Sequence, residues 1–323
     1  MTQARAEAAL GATPPAILVL TGVVSVQVGA GLAARLFSQV PPAAVTGLRL
    51  WTAALLLAVL GTRGLRREIT GLIRRRAWPD AAVVVAFGLT LAVMNYSIYQ
   101  AFARIPLGIA VTVEFLGPLA VAVAASRRVL DLAWVALAGG GVALLSQVGG
   151  SGPVTTEPVT TGLASGGHGA AAHLPAGASL AGLNVAGLLF ALAAAVSWAV
   201  YILLSAATGR RFPGASGLTL AMGVAALAVT PAGLLAGGRT LLRPGVLGTG
   251  AAIGLLSSII PYSLELETLR RVPAKVFGIW MSVEPAVAAL VGLVMLSQGL
   301  SLAEWAAIGC VTVASAGAAL SAR

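Results

Sequence analysis

Residues 260–290 read IPYSLELETLRRVPAKVFGIWMSVEPAVAAL. Two apolar runs flank the junction Arg270-Arg271-Val272-Pro273, and the second run carries one acid, Glu284, directly before Pro285. The same layout occurs earlier in the chain. Asn95-Tyr96-Ser97 answers Pro261-Tyr262-Ser263 with a one-residue slip, and Arg104-Ile105-Pro106 answers Arg271-Val272-Pro273. Pro118 follows Pro106 by twelve residues, as Pro285 follows Pro273, and Leu-Ala-Val-Ala and Ala-Val-Ala-Ala come next. Chance likeness between apolar segments is the alternative. Two proline spacings and two Tyr-Ser pairs falling at nearly one offset weigh against it and mark an internal repeat.

The composition sets the solvent. Of 323 residues, 58% are hydrophobic and only 9% charged, with a mean hydropathy of +0.96. Soluble domains carry about 25% charged residues, so a chain this poor in charge must turn most of its surface to lipid. Forty glycines fit close helix packing where no hydrophobic force draws helices together. The net charge of +10 would suggest nucleic acid on a soluble protein. Here the basic residues sit in short clusters between apolar runs, so they read as topology signals, and no nucleic-acid partner is expected. The single cysteine, Cys310, lies within the last apolar run, which excludes a disulfide framework and a thiolate metal site. Residues 1–15 are polar and lead straight into further spans, as a first membrane helix does and a cleaved signal peptide does not.

A span needs about 20 apolar residues, and ten segments qualify: 16–36, 43–61, 80–103, 107–125, 131–148, 184–208, 214–236, 246–269, 274–296 and 301–320. Two connections are longer than the rest, the arginine-rich 62–79 and the Gly/Ala/Thr-rich 149–183, which has no Lys or Arg and reads as flexible. With the amino terminus inside, fifteen basic residues fall on the inner side and four on the outer, and Arg49 lies within span two. The positive-inside rule then puts both termini in the cytoplasm and the 149–183 segment outside. The repeat unit spans the membrane five times. Five is odd, so its two copies, 1–148 and 184–323, insert with opposite orientations. The expected fold is all-α and integral to the membrane: ten helices as two inverted five-helix repeats around a central cavity, an architecture of secondary transporters.

These residues resemble a known family. Ile260–Leu290 is similar to the second-half signature of EamA-type drug/metabolite transporters, most closely the threonine and homoserine exporter branch. The first half agrees through Ser25-Val26-Gln27-Val28-Gly29-Ala30, Gly47-Leu48-Arg49-Leu50 and Val111-Thr112-Val113-Glu114-Phe115-Leu116-Gly117-Pro118-Leu119, and span six through Trp198-Ala199-Val200-Tyr201-Ile202-Leu203. The long 149–183 segment departs from the pattern. The resemblance implies a bacterial inner-membrane protein that exports small amino acids or related metabolites against protons, with no cofactor.

Three charges lie deep within spans: Arg49, Glu114 and Glu284. Each such residue costs ~2.5–3.5 kcal/mol on insertion scales, so each should face a cavity or a partner. Glu114 lies one turn before Pro118 and Glu284 directly precedes Pro285. A proline inside a helix frees a backbone carbonyl, which at membrane depth is tolerated where it lines a polar cavity or finds another donor. A zwitterionic amino acid offers an ammonium for Glu114 or Glu284 and a carboxylate for Arg49. Carboxylates poorly solvated in such a cavity can also take a proton from one side and release it on the other. The plainer alternative is an Arg–Glu pair that merely locks helices together. Further cavity candidates are Gln27, Asn95, Tyr96, Trp198, Tyr201 and Tyr262. Tyr99, Gln100 and Glu265 sit near span ends, where interfacial anchoring competes with ligand contact.

A membrane-embedded enzyme is the rival class. It needs a nucleophile with a base, or a metal cluster. The two histidines, His168 and His173, lie in the glycine-rich 149–183 segment, and no HExxH, GxSxG triad or Walker sequence occurs. A channel or scaffold is a second rival, against which the inverted repeat argues. Uptake, or export of a different metabolite or drug, remains an alternative within transporters.

Overall fold

The computed structural model describes residues 13–60, 76–124, 130–148, 183–212 and 215–321, the pair 179–180, and scattered positions between 65 and 74. The 149–183 segment therefore lies outside the described residues, except for a two-residue ladder pairing Ser179–Leu180 (β1) with Leu183–Asn184 (β2). Most arginines of 62–79 lie outside them as well.

Ten helical spans fill the remainder. Span one is α1 (Pro15–Leu36), span two α2 (Pro42–Leu60) and span three α3 (Trp78–Phe102). Span four is split into α4 (Leu107–Glu114) and α5 (Leu116–Ala124), and span five is α6 (Leu130–Val148). The second half runs through α7 (Val185–Gly209), α8 (Ser216–Gly237), α9 (Pro244–Gly254) with α10 (Ile260–Leu269), α11 (Ala274–Met281) with α12 (Glu284–Leu296), and α13 (Leu302–Ser321). Among the described residues, nine helical stretches are long and apolar enough to cross a bilayer, and α6 carries a shorter apolar core, Leu132–Leu145. Leu89, Leu203, Leu235 and Val294 are exposed on the outside of the bundle, where lipid suits them.

The helix ends follow local rules. Pro15, Pro244 and Pro285 open their helices at the first turn, where no intrahelical donor is lost. At α13, Ser301 and Glu304 form a capping box: Ser301 N donates to Glu304 Oε2 at 2.6 Å and Glu304 N to Ser301 Oγ at 3.3 Å.

The helix breaks are the part the span pattern did not resolve. Span four breaks at Phe115, one turn before Pro118, and span nine breaks at Ser282–Val283, just before Pro285. Span eight loosens into a π turn over Leu255–Ile259, where Pro261 lacks the N–H that the Ser257 carbonyl would have accepted.

The packing has two-fold symmetry. Span three lies along span six, and span eight along span one. Span two pairs with seven, five with ten, and α4 of span four meets α12 of span nine at the centre. Advancing every number by five spans maps this set of pairs onto itself, as a repeated five-helix unit requires. Contacts at the ends agree with alternate crossings. On one face Arg211 bridges Asp80 at 3.2 Å, and Arg271 donates to the Thr13 carbonyl at 3.2 Å. On the other, Arg35 donates to the Met295 carbonyl at 2.9 Å and Leu107 N to Gln298 Oε1 at 2.9 Å. The first face, which carries most of the basic clusters, is called the basic face below.

Small residues permit the close crossings. A Cβ at Gly117 would stand 2.1 Å from the Ala195 carbonyl oxygen, so spans four and six touch backbone to backbone there. At Gly140, on the exposed side of α6, nothing lies within 4 Å. Gly117→Ala should therefore cost about 1–3 kcal/mol of overpacking and lower the thermal midpoint of the detergent-solubilised protein, whereas Gly140→Ala should leave it unchanged or raise it. Equal midpoints for the two variants would show that this crossing is not tight.

Candidate functional site

A cavity of about 720 Å³ lies between the two repeats. That is within the range of small-molecule sites, roughly 300–1,000 Å³. Spans one, two, three, four, six, eight, nine and ten contribute to it. Gln27, Arg49, Asn95, Glu114, Trp198, Tyr201, Tyr262 and Glu284 all stand in its wall.

Tyr96 does not line the cavity. Adjacent helical residues point about 100° apart, and Tyr96 meets Phe190 of span six edge-on, with ring centroids 6.5 Å apart. Its place in the expected binding set is corrected to a contact between spans three and six.

The cavity is asymmetric across the membrane. Its lining runs from the middle of the bundle toward Ala122, Ala206, Leu269, Phe277 and Ala319, all near span ends on the basic face. Toward the opposite face it stops at Phe102. Phe102 stacks edge-on against fully buried Tyr99 at 5.8 Å, and Tyr99 against Phe37 at 6.0 Å. These three rings close that half.

Arg49 is held by neutral groups. Its Nη2 donates to the Ser257 carbonyl at 3.0 Å, Nε to Ser258 Oγ at 3.4 Å and Nη1 to Tyr99 Oη at 3.4 Å. The first acceptor is the carbonyl that Pro261 leaves free in the π turn. The neighbouring carbonyl, Leu256, is taken by Ser25 Oγ at 2.7 Å. Tyr99 is thus a buried partner of the guanidinium, which also lies 5.5 Å from its ring centre, and not an interfacial anchor. Among the described residues Arg49 forms no ion pair, so the locking Arg–Glu pair is not what the structure holds.

The two deep acids differ in setting. Glu284 is 6% exposed and accepts from Gln27 Nε2 at 2.9 Å, while Glu284 Oε2 and Gln27 Oε1 stay buried without a partner. Glu114 is half-buried, and among the described residues its carboxylate has neither hydrogen bond nor ion pair. Orphaned acceptors of this kind are costly at membrane depth. Asn95 is buried and bonds back to the Leu91 carbonyl at 2.8 Å. Trp198 packs edge-on against Phe115 at the helix break, centroids 5.1 Å apart. Tyr201 stacks on Phe87 at 5.3 Å.

The structure adds Ser205, Ser257, Glu265 and Ser315 to the wall. For Glu265 the sequence leaves anchoring and ligand contact both open, and the cavity wall is where it stands. The three serines gave no signal, because serine is common in apolar helices and can bond back to its own backbone.

Ten helices in two inverted sets around a cavity that carries charged side chains in a mainly apolar wall and runs toward one face define a solute transporter by class, and a multi-pass membrane protein. Residues 185–320 match the EamA-like transporter family. The chain is 35% identical over 312 residues to the threonine/homoserine exporter RhtA of Escherichia coli (strain K12), covering 96% of this chain and 92% of the relative. RhtA of Salmonella typhimurium (strain LT2) matches to the same degree. The uncharacterized transporter YwfM of Bacillus subtilis (strain 168) is 32% identical over 120 residues, 37% of this chain and 40% of the relative. A solved crystal structure shares the fold at a TM-score of 0.57 and 21% identity, over 95% of this chain and 97% of that one. The chain belongs to the EamA-like transporter family, near the RhtA branch.

The asymmetry of the cavity is open to a labelling test. Gly278 stands in its wall with only Ala319 Cβ close by, at 3.4 Å. In a Cys310→Ser background, Gly278→Cys should react with a membrane-impermeant maleimide applied to the basic face and stay protected from the opposite one. Labelling from the opposite face alone would invert the assignment.

Proposed function

We propose that this protein exports small neutral amino acids of the threonine or homoserine kind, or closely related metabolites, by proton antiport with alternating access across a bacterial inner membrane. The observation that carries the reading is an arginine without an acid partner sharing one cavity with two carboxylates that have unfilled hydrogen-bonding capacity. A zwitterion supplies the two charges that such a cavity lacks. Its carboxylate takes a charge-assisted bond from Arg49. Its ammonium is matched by Glu114 or Glu284. The names of the RhtA relatives support the substrate class, since this chain covers nearly their whole length.

Gln27, Asn95, Trp198, Tyr201 and Tyr262 complete the proposed binding wall. The aromatic members exclude water from around the ligand and strengthen the charge contacts. Glu114 and Glu284 are the proposed proton-coupling residues: proton and substrate compete for one or both. With the basic face in the cytoplasm, as the positive-inside rule requires, both termini are cytoplasmic and the cavity runs toward the side where an exported amino acid is loaded. The two repeats, 1–148 and 184–323, then rock about the shared site, with 149–183 joining them on the outside.

The volume of the cavity favours a second reading within the same class. At about 720 Å³, with Phe102, Phe115, Trp198 and Phe277 in its wall, it has space for a larger apolar metabolite or drug.

Two experiments test the proposal. Deleting the gene should raise intracellular threonine or homoserine selectively in a screen across amino acids, and a rise confined to aromatic compounds or drugs would favour the second reading. In reconstituted vesicles, Glu114→Gln and Glu284→Gln should each lower pH-gradient-driven threonine transport by about 100-fold or more, roughly the effect of losing a proton-transfer group. Wild-type proton coupling in both variants would remove these acids from the mechanism.

A further inference from the structure

The last turns of span eight carry four charges: Glu265, Glu267, Arg270 and Arg271. Three of them pair with one another at the basic face. Glu267 binds Arg271 and lies 3.4 Å from Arg270. Two residues along a helix is a rotation of about 200°, so Glu265 faces the other way. It stands in the cavity wall between Tyr262, one turn deeper, and Leu269, one turn nearer the mouth. It is half-buried, and among the described residues it has no ion pair and no hydrogen bond. An acid left unpaired beside a cluster in which every other acid is paired, and turned into a membrane cavity, is an expensive arrangement that structure alone does not explain.

Glu265 does not suit the ligand. Arg49 grips the Ser257 carbonyl at 3.0 Å, and Ser257 is eight residues deeper than Glu265, about 12 Å along the helix axis at 1.5 Å per residue. The amino nitrogen and carboxyl carbon of an α-amino acid are only about 2.5 Å apart, set by two covalent bonds. A zwitterion of that size whose carboxylate sits at Arg49 covers only part of the interval to Glu265. Water can bridge the interval: at about 30 Å³ per molecule, the cavity holds on the order of twenty waters. The ionisable groups sharing the cavity are Tyr262 on the same helix, Tyr201 from span six, Glu284 from span nine, Glu114 from span four and Arg49 from span two.

We propose that Glu265 is a proton-relay residue between Glu284 and water at the basic face, and takes no part in holding the substrate. This inference rests on the antiport reading above. In the exporting direction the proton leaves the Glu284 carboxyl through cavity water and passes to the Glu265 carboxylate. Glu265 then gives it up to bulk water, and each acid ends the cycle in its starting form.

The test uses the full-length protein in vesicles with radiolabelled threonine. One assay reads threonine–threonine exchange without a pH gradient, and the other reads gradient-driven transport together with proton movement. Glu265→Gln should exchange threonine with a KM close to wild type but lose about 100-fold or more in gradient-driven rate, the scale of a missing proton-transfer group. Glu265→Asp, which keeps the carboxyl on a shorter arm, should recover part of that rate. Retained exchange also reports that the variant is folded. Wild-type coupling in Glu265→Gln, or loss of exchange with a raised KM in both variants, would overturn the relay and leave the antiport reading standing. Wild-type protein that exchanges threonine but ignores a pH gradient would overturn both.

Discussion

A backbone carbonyl freed inside this bundle needs a donor without help from bulk water, and one contact shows how that demand organises the rest. Pro261 leaves the Ser257 carbonyl without its helical donor, and Arg49 supplies one at 3.0 Å from span two. The same guanidinium reaches Ser258 and Tyr99, so spans two, three and eight meet around a single side chain. A helix defect and a buried cation would each be costly alone in lipid. Together they offset one another, and they fix the geometry at the centre of the cavity.

The remaining breaks follow the same logic. Span four parts at Phe115 and span nine at Ser282–Val283, and each break lies beside a glutamate. The prolines that cause them, Pro118 and Pro285, are the residues whose matching spacing discloses the internal repeat. The repeat therefore preserves the positions where the helices open as well as the positions where they cross. Close crossings at Gly117 and Gly29 bring the neighbouring backbones near enough for these openings to face a common space.

Much of this was legible in the sequence because lipid imposes a coarse rule. Apolar length fixed the ten spans to within a few residues, and the odd span count of the repeat fixed their relative orientation. The cavity wall was legible where a residue was out of place in lipid: Arg49, Glu114, Glu284 and Gln27 announced themselves by polarity. Tyr96 misled because a tyrosine suits both a cavity and a helix contact, and one helical step separates it from Asn95. The π turn at Leu255–Ile259 and the wall serines were silent, since neither hydrogen-bond slippage nor a lone serine in an apolar helix leaves a compositional trace; among the described residues the Ser257 and Ser315 hydroxyls are buried without a partner. Which acid Arg49 would pair with was also undecidable from spacing. The answer, that it pairs with none, depends on three neutral acceptors contributed by distant spans.

The symmetry of the frame and the asymmetry of its contents belong together. An inverted repeat supplies two equivalent halves, which suits a cavity that must open to either face. A ligand with unlike ends cannot be held by like walls. Here the halves have diverged at the decisive positions: Glu114 stands where the second repeat has Met281, and Glu284 where the first has Gly117. A deep cation with no ion pair among the described residues, Arg49, comes from span two, and the hydrogen-bonded, nearly sealed acid comes from span nine. A helix bundle serving only as a scaffold would gain nothing from placing unpaired charge on its inner faces. Under the antiport proposal such charge has a use, because full pairing inside the protein would leave neither proton nor ligand any contact to complete.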